Sequence, residues 1–83
     1  MTIELRFKYS SEAVKTFIEH TINELNFYIG FADESDSVAF IDDQAFIPFF
    51  LYIAERKHVI LKKQPDATYN SEYHADHILE VTV

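Results

Sequence analysis

The chain has 83 residues, enough for one domain spanning 1–83 and too few for two. It carries 14 Asp and Glu against 7 Lys and Arg, a formal net charge of −7, with no Cys and a single Gly. Those totals exclude disulfides, thiolate metal sites and thiol nucleophiles, and they exclude the glycine-dependent Walker, dinucleotide-binding and Gly-x-Ser-x-Gly motifs.

Eight Phe and five Tyr must hold the core without covalent help. The N-terminal stretch lacks the layout of a signal peptide, and the uncharged apolar run Ala45–Ile53 is far short of a membrane span of about 20 apolar residues. A soluble cytoplasmic protein is expected. The charge is clustered: Asp33, Glu34, Asp36, Asp42 and Asp43 fall within residues 33–43 with no cation among them, while Arg56, Lys57, Lys62 and Lys63 oppose Glu55 in the next segment. Direct binding to a nucleic-acid backbone is disfavoured, because affinity there comes mainly from cations neutralising phosphates.

Thr2 to Tyr9 alternates, with Ile3, Leu5, Phe7 and Tyr9 on one face and Thr2, Glu4, Arg6 and Lys8 on the other. That period predicts a strand with one buried and one wet face. Ser10-Ser11-Glu12 supplies an N-cap and a carboxylate for a helix start. Val14, Phe17, Ile18, Thr21, Ile22 and Leu25 then form one apolar stripe, and Asn26 is a suitable end. Phe27 to Ala32 reads as a strand of little polarity, expected centrally in a sheet, with a bulge or close approach at Gly30. Residues 33–37 are turn chemistry and Val38 to Ile41 a second strand, so 27–42 is expected to be a hairpin with an acidic tip.

The uncharged run Ala45–Ile53 organises the rest. As a helix it sets Phe46, Phe49, Phe50 and Ile53 on one face, with Leu51 and Tyr52 projecting elsewhere. Pro48 favours a start near itself, giving a helix to about Lys57; a start at Asp42-Asp43 with a kink is the alternative. His58 to Lys63 reads as a strand, 64–67 as a turn, 68–72 as loop, and alternation returns after Tyr73, most clearly from Ile78 to Val83.

The order is β-α-β-β-α-β-β. The expected fold is α+β, an antiparallel sheet with two helices on one face, ferredoxin-like (split βαβ) plus an extra C-terminal strand.

No catalytic signature is present, so no enzyme and no cofactor are expected. His74, Asp76 and His77 are weak candidates for a metal, because residues three apart in a strand face opposite sides. The expected function is a small acidic interaction module, an inhibitor, immunity or phage-type anti-defence protein docking on a basic surface of a partner protein. Asp33, Glu34, Asp36, Asp42 and Asp43 would steer the encounter, and Tyr28, Leu51 and Tyr52 would anchor it. The alternatives are a homodimeric domain binding a small ligand or a metal through His74 and His77, and a small enzyme or enzyme subunit.

Overall fold

The computed structural model describes residues 1–64 and 74–83. Beyond Gln64, the expected turn and loop, together with Tyr73, lie outside the described residues. The elements are β1 (Thr2–Lys8), α1 (Glu12–Glu24), β2 (Ile29–Phe31), β3 (Val38–Asp42), α2 (Asp43–Ala54), β4 (Ile60–Gln64) and β5 (His77–Thr82). They form a small α+β fold: one five-stranded sheet in the order β2-β3-β1-β5-β4, with two helices.

The sheet is mixed rather than wholly antiparallel. β1 pairs antiparallel with β3, as β2 does with β3 and β4 with β5, but β1 and β5 run parallel. The cause is topological. β4 runs opposite to β1, as the last strand of a ferredoxin-like unit does, but it does not lie beside β1. β5 returns antiparallel to β4, slots between β4 and β1, and so points the same way as β1.

The odd positions of β1 build the core as their alternation predicts. Ile3, Leu5 and Phe7 are buried with Ala39 and Ile41 of β3, Val81 of β5 and Val83. Ile18 and Ile22 of α1 and Phe49 and Ile53 of α2 join the same cluster, so both helices lie on this face. The opposite face is not uniformly wet. Glu4 is 2% exposed and Ile78 0%, adjacent in the β1–β5 register. The Glu4 carboxylate accepts a hydrogen bond from Arg6 Nε at 2.6 Å, which offsets the cost of holding a charge out of water.

β2 is an edge strand of three residues, not a central one. Phe27, Ile29 and Phe31 lean on the core while Tyr28 and Gly30 are exposed, so its apolar character serves one side only. Gly30 marks neither bulge nor close approach: its φ is not positive, and a Cβ there would meet nothing within 4 Å.

α1 follows its signals. Ser11 Oγ accepts from Val14 N–H at 3.2 Å, and the buried Thr21 hydroxyl donates to the Phe17 carbonyl at 2.8 Å. α2 starts at Asp43, ahead of Pro48, and ends at Ala54, short of Lys57. Asp42 is its N-cap, with Oδ1 accepting from Gln44 N–H at 2.9 Å. Pro48 is tolerated inside because the carbonyl it leaves without a donor is that of Gln44, an exposed residue in the first turn where water can substitute.

Candidate docking surface

Helix α2 is apolar around most of its circumference, a composition that ordinarily goes with burial on all sides. Here it is buried on one side only. Phe49 and Ile53 are each 1% exposed, and Ala45, Phe46 and Tyr52 pack against the core they belong to. On the other side Ile47 and Leu51, four residues apart, are 57% and 51% exposed. Phe50 is half-buried and stacks on Phe46 at 6.0 Å between ring centroids. It sits beside the core rather than in it.

Next to this face lies Tyr28, 78% exposed and with φ of 53°, in the left-handed region that a bulky residue seldom occupies. Asn26, Phe27, Tyr28, Gln44, Ala45 and Pro48 line an open cleft of about 330 Å³ between the α1–β2 connection and the first turns of α2. The volume suits a single large side chain or a small apolar molecule.

Tyr52 is half-buried and engaged within the fold: its ring stacks on Phe17 at 6.3 Å, tilts against Phe27 at 5.3 Å, and is covered by the Arg56 guanidinium at 3.6 Å. Arg56 Nη1 also donates to the Tyr52 carbonyl at 2.8 Å. Tyr52 belongs to the contact between α1 and α2. Sequence reasoning does not single out Ile47, although its four-residue spacing from Leu51 is the signal that marks it.

The five candidate steering carboxylates do not form one patch. Asp33, Glu34 and Asp36 sit in the β2–β3 turn, and Asp42 and Asp43 at the opposite end of β3. The turn is tightly built. Ser35 Oγ accepts from Ser37 N–H at 3.2 Å and from Val38 N–H at 3.0 Å. Lys15 Nζ reaches Asp36 Oδ2 at 2.6 Å, and the Tyr9 hydroxyl donates to the Asp36 carbonyl at 2.6 Å. The Lys15 hydrogen bond and charge hold the Asp36 carboxyl below its usual range, and Asp36 in turn pushes the Lys15 ammonium up. Burial, helped by the Asp36 charge, raises the Tyr9 phenol. Asp33 and Glu34 are exposed.

At the other end the Gln44 N–H lowers the Asp42 carboxyl. The N-terminal amine lies 3.9 Å from both Asp42 and Asp43, a loose contact between exposed groups and worth little.

The His74–His77 segment is used by the strands. Asp76 Oδ2 accepts from Thr2 N–H at 2.9 Å while Asp76 N–H donates to the Thr2 carbonyl at 2.9 Å. His77 Nε2 lies 3.1 Å from the Met1 sulfur, and His74 is exposed. Among the described residues, no three His, Cys, Asp or Glu side chains converge as a metal centre requires. Nor is any helix among them long and apolar enough to cross a membrane.

In comparisons with protein-family models, curated proteins and solved structures, nothing matches the chain.

Proposed function

We propose that the chain is a small, acidic, non-catalytic protein-interaction module that docks on a basic surface of a partner protein, in the manner of an inhibitor, immunity or phage-type anti-defence protein. One observation carries the reading. α2 presents Ile47 and Leu51 to water on the side opposite the buried Phe49 and Ile53, with exposed Tyr28 alongside. The fold is already closed by the inward side, so the outward apolar surface is surplus to folding, and such surplus beside carboxylates is the character of a docking face. The scaffold is read as a split βαβ unit with its fifth strand inserted next to β1. The net charge of −7 favours a cationic partner and speeds its approach.

The 330 Å³ cleft beside Tyr28 supports a second reading, a domain that takes a small apolar ligand. Its shallow, open form and its place at the margin of the α2 face make it a better socket for one anchor side chain of a protein partner.

The test is kinetic. A partner recovered by cross-linking in the native host is purified, and its association rate with the chain is measured as salt rises from about 0.05 to 0.5 M, which contracts the Debye length severalfold. The expected result is a rate falling at least severalfold. An association rate indifferent to salt, or a partner whose contact surface is not basic, overturns the reading.

A further inference from the structure

We infer that the outward face of α2 seats an amphipathic cationic helix of the partner, apolar along its middle and carrying Lys or Arg at both ends. This rests on the docking reading above and specifies its surface and its partner.

The seat is defined by periodicity and exposure together. α2 runs from Asp43 to Ala54, about 18 Å at 1.5 Å per residue. Ile47, Leu51 and Ala54, at spacings of four and three, are all exposed and form its outward line, with Pro48 and Phe50 on its flanks. Residues three and four apart on one helix form a ridge, and the groove that matches it is another helix with the same apolar spacing. The cleft by Tyr28 and Pro48 lies at one margin of the ridge and accepts one side chain of the incoming helix.

Charge decides which helix. The outward arc begins at Asp43, beside exposed Asp42, and closes at Glu55, whose side chain is 72% exposed. No Lys or Arg lies on the arc between them, and the exposed N-terminal amine, 3.9 Å from both Asp42 and Asp43, is a loose contact that leaves those carboxylates open to water. Arg56 follows Glu55 and approaches it to 3.6 Å, but its guanidinium is folded over the Tyr52 ring on the α1 side of the helix. The apolar line is therefore bracketed by carboxylates at both ends.

That bracket argues against a second copy of this chain. A two-fold interface sets residue i against j and j against i. Antiparallel α2 helices would bring Asp43 of each copy towards Glu55 of the other, with like charges meeting twice and a net −7 on each body. A helix with cations at both ends converts the same bracket into attraction and fixes the register.

The test uses ¹⁵N–¹H NMR titration of the full chain with a synthetic helical peptide of about sixteen residues, about three turns plus its ends. The peptide carries Leu at three- and four-residue spacing and paired Lys at each end; its twin has Glu in place of Lys. The expected result is amide shifts confined to residues 26–28 and 42–55, with the Glu twin binding at least tenfold more weakly. Ile47→Gln/Leu51→Gln abolishes the shifts while far-UV circular dichroism stays native. Asp43→Asn/Glu55→Gln, which leaves the Asp42 cap in place, weakens binding severalfold and flattens its salt dependence. Equal binding by the two peptides overturns the inference, as does failure of the Lys peptide to bind. So does sedimentation showing a dimer that Ile47→Gln/Leu51→Gln dissociates. A purified partner with a salt-dependent association rate that leaves the α2 amides unmoved overturns this inference alone, and the docking reading stands.

Discussion

Tyr28 holds an aromatic ring 78% exposed on a backbone at φ 53°, a conformation that suits Asn or Gly far better. The left-handed region costs a bulky residue about 1 kcal/mol or more, and burial of this ring in the fold does not offset it. Tyr28→Asn should therefore raise stability by up to about 1 kcal/mol, read from the urea midpoint, while weakening docking. A fall in stability would mean the ring has a structural task. Asp36 gives a second prediction at this scale. Its carboxyl is held below the ordinary 3.8 by Lys15, so the contact stabilises the fold above that value and is lost as pH falls through the depressed native one. Asp36→Asn should be less stable than the parent at pH 7, with the deficit closing in strong acid. A deficit constant with pH would assign the effect to the turn backbone and not to the ion pair. Arg6 matters for a different reason. It hydrogen-bonds a carboxylate with 2% of its side chain exposed, and Arg6→Met should cost about 1–3 kcal/mol in chemical denaturation.

Among the elements, α2 divides most sharply into two kinds of residue. Phe49 meets Phe7 and Phe27 edge-on at 6.4 and 5.8 Å between centroids, and Phe49→Ala should cost about 3–5 kcal/mol. Two residues along, Leu51→Gln should change stability by no more than about 0.5 kcal/mol, because its side chain leaves little apolar contact behind. Equal losses at the two sites would show that α2 has no spare face. The sequence displays most of this helix but not its orientation. Counting at about 100° per residue places Phe46, Phe49, Phe50 and Ile53 on one arc, and any of several rotations keeps most of them inward. What selects the rotation is α1, whose Phe17 draws Tyr52 inward and leaves Phe50 at the margin. That neighbour is 35 residues away in the chain, so nothing local to α2 announces it. Its start is legible only as one of two: Pro48 favours a start near itself, and the Asp42 cap, with its Gln44 bond, marks the alternative start at Asp42-Asp43, which is the one the helix takes. β1 and α1, by contrast, are legible because each depends on its own period and its own cap.

For the whole molecule, what is least legible is pairing. The alternation in β1 and β5 states that both are strands, but not that they are neighbours or that they are parallel. Closing them brings together residues up to 74 positions apart, a contact set by the loop entropy and competition of the entire chain. The distribution of charge has the same character. Five carboxylates within residues 33–43 suggest one patch, whereas β3 separates them by a strand length of about 17 Å. In the proposed docking the two roles would be divided, the turn supplying long-range attraction and α2 the contact. Neutralising Asp33 and Glu34 should slow association with little effect on dissociation, and stopped-flow rates at two ionic strengths check it.

The insertion of β5 beside β1 also has a mechanical consequence. The two strands are parallel neighbours near the middle of the sheet, one beginning after Met1 and the other ending before Val83. Tension between residues 1 and 83 slides β1 past β5 along their length, so their evenly spaced hydrogen bonds share the load at once. Ser10 and Val83 lie at the same end, joined by Ser10 N–H to the Val83 carbonyl at 2.8 Å, and tension between them peels the pair one bond at a time. The chain has no cysteine, so single thiols introduced at either pair of positions give clean anchors. Pulled singly, the molecule should yield at markedly higher force from 1 and 83 than from 10 and 83, making it a stiff tether along one axis and a weak one across it.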